Sequence, residues 1–235
     1  MASRSGGDGE PIGTFVSRRA LVFGATGLIG RELVQQLLAD ARYSSVLLLL
    51  RRAAPSLPAN PKLSWQVVDF ARLPKPFPAV DDVYCCIGTT IKVAGSREAF
   101  RAVDFDLVVN TARSARRAGA QRLAVVSALG ADPRSAVFYN RTKGEMERAV
   151  GELGYASVII ARPSLLTGDR AATGQPERPA ERWVTALVGP VSKWVPARWR
   201  PIDAAVVARA LRAATAAAPA GLRFIESGEL QTLGR

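Results

Sequence analysis

Tyr139 and Lys143 stand four residues apart in Tyr-Asn-Arg-Thr-Lys, which on a helix puts a phenol and an ammonium on the same face. A neighbouring cation stabilises a phenolate, so the pair suits Tyr139 to give a proton to a carbonyl oxygen that receives hydride, or to take it back in reverse. Lys143 can also reach a ribose hydroxyl. Ser127 lies 12 residues before the tyrosine, where a predicted strand ends, and its hydroxyl is suited to hold a substrate oxygen. The same three residue types also occur on ordinary surfaces, so the rest of the chain decides what they mean.

The second grouping is Gly24-Ala-Thr26-Gly27-Leu28-Ile29-Gly30, placed between a predicted strand and a helix. Glycines there permit a tight turn, let backbone amides approach a pyrophosphate and allow the helix to pack closely on the strand. The first gap is one residue wider than in the common dinucleotide fingerprint. An NAD site tends to end its second strand in an acid, about 20 residues on, that accepts from the adenosine ribose. This chain has Arg51-Arg52 instead, two guanidiniums suited to the 2′-phosphate of NADP. Asp69, after the third strand, is placed to reach the adenine amino group.

Composition removes other mechanisms. The chain has no histidine, which excludes histidine-based triads and histidine zinc sites, and its two cysteines are the neighbours Cys85 and Cys86. Proton chemistry near neutrality falls to Tyr, Lys or a carboxylate. The 32 basic against 20 acidic residues give a net charge of +12, which suits phosphate-bearing ligands. No aromatic platforms interleave with those cations, so nucleic acid is not an expected partner. The apolar runs fall well short of the ~20 residues of a membrane span.

With 235 residues, 48% of them hydrophobic, the chain can bury one sizeable core. Short β-branched or Leu-rich runs alternate with amphipathic stretches, the pattern of βαβ units. Strands are predicted near 20–23, 46–50, 65–68, 83–87, 123–127, 157–160 and 222–225, and helices near 28–39, 97–118, 139–152 and 203–217. The expected fold class is α/β, a doubly wound parallel sheet with a small C-terminal cap. Residues 1–17 read as a flexible tail and 18–235 as one domain, with 162–235 forming the substrate side. Trp183, Trp194 and Trp199 fit either an apolar pocket wall or simple packing of the cap. Asp8 and Glu10 break the acid-poor pattern of a transit peptide, and with unpaired cysteines the expectation is a cytoplasmic protein.

Taken together, the Gly24 to Gly30 turn, Tyr139/Lys143 and Ser127 resemble the short-chain dehydrogenase/reductase superfamily in its extended or atypical branch, over nearly the whole chain. More narrowly, Val67-Val-Asp69-Phe70, Tyr84-Cys-Cys-Ile-Gly88-Thr89-Thr90 and Arg162-Pro163-Ser164 look like the small group that includes the human Tat-interactive oxidoreductase and its bacterial relatives. The resemblance implies an NAD(P)-binding Rossmann fold with NADP (NADPH) as cofactor. Thr26, Leu28, Ile29, Asp69 and Phe70 then belong to the cofactor site, Gly88, Thr89 and Thr90 line it, and Arg162 to Ser164 pass the nicotinamide end. Cys85 and Cys86 are placed inside a strand, with buried structural roles. Ala128 follows Ser127 where relatives often have a second serine, and Gly130 favours Ser127 as the catalytic one. Asp104 stands where many relatives carry an asparagine that organises a proton-relay water. An acid there either supports a nearby positive charge or faces solvent.

The expected function is an NADPH-dependent oxidoreductase acting on a carbonyl or alcohol, with Tyr139, Lys143 and Ser127 catalytic. A rival is an NADP(H)-binding sensor or partner-binding protein without turnover. A nucleotide-sugar epimerase or dehydratase on the same scaffold is a third reading. Homodimer and monomer both stay open.

Overall fold

The computed structural model describes residues 17–53, 58–168 and 196–235. Strands β1 (Arg18–Phe23), β2 (Tyr43–Leu50), β3 (Leu63–Val67), β4 (Asp82–Cys85), β5 (Arg122–Val126) and β6 (Ser157–Arg162) alternate with helices α1 (Leu28–Ala39), α2 (Ile91–Ala94), α3 and α4 (Phe138–Gly151). Helix α3 runs without a break through Arg97–Arg101, a π turn at Ala102–Leu107, and Val108–Arg117. Two short strands, β7 (Leu166–Thr167) and β8 (Ile202–Asp203), pair with each other, and α5 (Ala204–Ala217), β9 (Gly221–Glu226) and α6 (Ser227–Leu233) complete the described chain.

The main sheet is parallel throughout, in the order β3-β2-β1-β4-β5-β6-β9. It is the doubly wound fold expected from the alternation. Strand order reverses between β1 and β4, and in such sheets ligands bind outside the carboxyl ends of the strands at that point. Successive residues of the central strands feed two different cores. Ala20, Val22, Leu48 and Tyr84 face α1 and α5, whereas Leu21, Phe23, Leu49 and Val83 face α3 and α4. Burial on both faces explains why these strands read as unbroken apolar runs.

Several boundaries differ from the sequence reading. Strand β4 stops at Cys85, so Cys86 lies just outside it, although its amide still bonds Phe23 O at 2.9 Å. Strand β5 stops at Val126, and Ser127 follows it with its amide on Ala161 O at 2.7 Å. Helices α2 and α6 and the β7/β8 pair have too few residues to show a period and were not expected. Trp183 and Trp194 lie outside the described residues, as does the tail up to residue 16. Trp199 is exposed on a short 3-10 turn, so it packs little of the cap. No helix among the described residues is long and apolar enough to cross a membrane.

Candidate functional site

The turn from β1 to α1 tolerates nothing larger than hydrogen at two positions. Gly24 has φ +74° and a Cβ there would lie 2.6 Å from the Cys86 backbone; a Cβ on Gly30 would lie 2.1 Å from Gly24 O. Gly27 precedes α1, bonds Gly24 O through its amide at 3.0 Å and offers no side-chain cap. The first-turn amides, at the positive end of a twelve-residue helix, are therefore left for an anion. Thr26 is exposed and Leu28 half-buried, while the Ile29 side chain packs in the core, so Ile29 offers a ligand only its amide.

Arg51 and Arg52 lie exposed after β2, with no ion pair or hydrogen bond among the described residues. Asp69 follows β3, exposed, its Oδ1 accepting from Ala71 N at 2.9 Å, and Phe70 sets its ring edge-on to Phe23. The loop after β4 carries Gly88, Thr89 and Thr90. Thr90 caps α2 by accepting from Val93 N, and Thr89 N donates to Asp104 Oδ2 at 2.9 Å.

That bond introduces the main feature of the rim. Asp104, in the π turn of α3, is fully buried, and its Oδ1 lies 2.6 Å from Lys143 Nζ, also buried. The contact is a close, buried charge pair. Burial pushes the Lys143 ammonium down, and the Asp104 carboxylate outweighs it, with a smaller contribution from Tyr139, so its net displacement is upward. Of the two roles open to an acid at 104, the solvent-facing one is excluded. Tyr139 is half-buried, its ring 5.3 Å from that of Phe100. Ser127 is buried and its Oγ has no partner.

Two residues that position this rim went unnoticed in the sequence. A Cβ on Gly144 would lie 2.2 Å from Pro133 N, so only glycine lets the loop after β5 rest directly on α4. That loop is pinned there by Asp132 N on Asn140 O at 3.1 Å and Arg141 Nη1 on Ser135 O at 2.9 Å. Glu147 is buried and takes Arg162 in a fork, with Nε to Oε1 2.9 Å and Nη2 to Oε2 2.5 Å. The spacing Tyr139, Lys143, Glu147 was the available signal, one helix face carrying three polar groups.

Arg162 to Ser164 are built into the scaffold. Besides Glu147, the Arg162 guanidinium meets Glu226 at 3.0 Å and stacks over Phe224, and Pro163 O accepts from Leu129 N at 3.0 Å. Ser164 Oγ donates to Arg200 O and accepts from Ser227 Oγ at 3.0 Å, tying α6 to the sheet. Cys85 and Cys86 pack in the two opposite cores. Burial pushes the Cys85 thiol up to about 11 and the Cys86 thiol higher still, so neither is a reactive thiolate.

Residues 24–184 match a family described as NAD(P)H-binding. The chain belongs to that family. The NAD(P)H-binding chain is 34% identical over 169 residues to Protein HTATIP2 of Rattus norvegicus, covering 70% of this chain and 68% of that one. It is 34% identical over 215 residues to the mitochondrial protein fmp52 of Aspergillus fumigatus, covering 87% of each. Among solved structures it is similar to MoeE5 in complex with UDP-glucuronic acid and NAD, at TM-score 0.70 and 20% identity over 89% of this chain and 76% of that one. Bordetella bronchiseptica WbmG in complex with NAD gives TM-score 0.67 at 18% identity, over 93% of this chain and 75% of that one. The resemblance read from the motifs is therefore sound, and the fold is that of NAD-binding extended short-chain dehydrogenase/reductase-type proteins. The cytoplasmic placement is withdrawn, because the fmp52 relatives are named mitochondrial. Unpaired thiols argue only against an oxidising compartment, and two acids in the first ten residues were too little to exclude an organelle.

Proposed function

We propose that this chain is an NADPH-dependent oxidoreductase of the short-chain dehydrogenase/reductase type, acting on a small carbonyl or alcohol substrate. One observation carries the reading: Ser127 Oγ is buried without a partner on the rim where the Gly24 to Gly30 turn opens. An orphaned buried hydroxyl costs about 1–3 kcal/mol, a deficit that a substrate oxygen at this position removes.

The residues suit the cofactor. The amides of the glycine turn and of Leu28 to Gly30 would hold the pyrophosphate, and Arg51 and Arg52, exposed and unpaired among the described residues, the 2′-phosphate. Thr26, Asp69, Phe70, Gly88, Thr89 and Thr90 complete its surroundings, and Pro163 contributes backbone. Bound NADPH supplies a hydride. Ser127 holds the substrate oxygen, Tyr139 donates its phenolic proton to that oxygen, and Lys143 stabilises the resulting phenolate and reaches the ribose. Arg162 and Ser164, committed to Glu147, Glu226 and Arg200, act through the scaffold.

Calorimetric titration with NADPH and NADH at about 0.15 M salt, which damps generic anion attraction, tests the cofactor assignment. NADPH is expected to bind at least about tenfold more tightly, and Arg51→Ala with Arg52→Ala to erase most of the difference, each charge-assisted contact being worth about 1.5–3 kcal/mol. Equal affinity of the unaltered protein for both cofactors overturns the arginine argument.

A further inference from the structure

The crossover from β3 to β4, residues 68–81, carries Pro74, Pro76 and Pro78 at alternate positions. Prolines so spaced remove the backbone donors a helix needs, and no helix forms there. The chain returns as a loop beside α3, and the two leave a groove of about 560 Å³ between them. It begins at Phe70, by the carboxyl rim, and runs down to Arg117, where α3 ends just ahead of β5.

Four cations line this groove and no carboxylate does. Arg72 and Lys75 come from the loop, and Arg113 and Arg117 from α3, on the face they share with Asn110 and Ser114. The side chains of Arg72, Lys75 and Arg117 have no ion pair or hydrogen bond among the described residues. Arg113 has a neutral partner, its Nη1 donating to Asn110 Oδ1 at 3.0 Å. Elsewhere the fold gives its arginines carboxylates, as with Arg19 and Asp81, Arg42 and Asp40, or Arg223 and Glu229. The groove on the other flank of α3, against α4, is balanced in this way. Arg101 and Arg148 line it together with Glu145 and Glu152, and Arg101 pairs with Glu145 at 2.5 Å. The dipole of α3 favours a cation at Arg117, in its last turn, but does not account for Arg72 or Lys75 across the groove. Cations gathered in a concavity without counter-charges raise the local potential and draw an anion.

We propose that this groove is a second anion site, separate from the glycine turn, for a small soluble molecule bearing two or more phosphate groups. Three guanidiniums offer planar forks that take phosphate oxygens in pairs, Lys75 adds a point charge, and Asn110 and Ser114 offer neutral donors. Charge on both walls calls for an anion that is charged on both sides, which a single carboxylate is not. A concave site of this volume suits a small ligand better than a membrane surface.

Calorimetric titration of the full chain with inorganic tripolyphosphate, at about 0.15 M salt, tests the proposal. No cofactor or substrate is present, so the outcome is independent of turnover. Arg113→Ala with Arg117→Ala, and separately Arg72→Ala with Lys75→Ala, are each expected to weaken binding at least about tenfold, because both walls hold the anion. Arg51→Ala with Arg52→Ala, and Arg148→Ala with Arg198→Ala, remove as much charge elsewhere and are expected to stay within about threefold of the unaltered protein. A loss that follows Arg51 and Arg52 instead places the anion in the cofactor turn and overturns the proposal. An equal loss in the Arg148 and Arg198 variant marks generic attraction and overturns it too, as does the absence of binding. Binding to vesicles of phosphatidylcholine and phosphatidic acid without binding to tripolyphosphate overturns it in favour of a membrane surface.

Discussion

Two fully buried carboxylates lie at opposite ends of the sheet, and they differ in what holds them. Asp82 opens β4 at the amino rim. Its Oδ1 takes Arg122 Nε, its Oδ2 takes Tyr43 OH at 2.6 Å, Tyr43 and Tyr84 share a further bond at 2.7 Å, and Arg18 stands 3.8 Å away. Asp104, at the carboxyl rim, takes Thr89 N on one oxygen and the Lys143 ammonium on the other, and Ser127, at the same rim, has no partner. A buried polar group left incomplete is expensive, and the described residues carry such groups at both rims, Ser127 at the carboxyl one and Arg18 and Ser157 at the amino one. The amino rim works as a clamp on β1, β2, β4 and β5, whereas the carboxyl rim carries the residues proposed for the chemistry.

The comparison predicts opposite signatures for substitutions at the two ends. Tyr139→Phe is expected to lower kcat by about 10²–10⁴, the usual worth of a positioned general acid, with the denaturation midpoint and NADPH affinity kept. Steady-state NADPH oxidation with a carbonyl that the unaltered protein reduces measures it. Unchanged turnover would move the protein to the class that holds NADP(H) without reacting. Asp82→Asn is expected to do the reverse. Breaking a buried pair by removing one charge costs about 3–5 kcal/mol, read in urea denaturation, while kcat per folded molecule stays. A large loss of kcat in the folded variant would sink the division between the two rims.

A smaller effect belongs to Asp40, also at the amino rim, where Arg42 at 2.5 Å and Arg212 at 2.6 Å tie the end of α1 to β2 and α5. The Arg42 hydrogen bond, helped by Arg212 and opposed by burial, holds the Asp40 carboxyl well below the ordinary carboxylate range. The folded protein thus keeps this group charged where the unfolded chain takes up a proton. Its stabilisation is present above the ordinary value, about 3.9, and is lost as pH falls through and below it. Asp40→Asn is expected to cost about 2 kcal/mol near neutrality and to flatten the loss of stability on acidification. Denaturation curves at neutral pH and at about pH 2 measure both. An equal acid-induced loss in variant and parent would assign that sensitivity to other carboxylates.

The sequence by itself determined what a few neighbouring residues can encode. Helix α1 was legible to its bounds, Leu28 to Ala39, because its apolar period is followed by a break at Asp40. The doubly wound parallel sheet followed from the alternation, the glycine turn from sterics local to seven residues, and the shared face of Tyr139 and Lys143 from helical spacing. What only the tertiary structure decided are contacts between distant segments. Asp104 was legible as an anomaly, but its partner lies 39 residues on and depends on a π turn that no local pattern announces. Gly144 looked like an unremarkable helix glycine until the loop at Pro133 was seen lying on it. Arg162 read as a ligand contact, and its pairing with Glu147 and Glu226 was not legible. Periodicity fixes which face of an element a side chain occupies, whereas its partner is fixed by the packing of elements far apart in the chain, where burial leaves a charge no stable choice but the nearest opposite one.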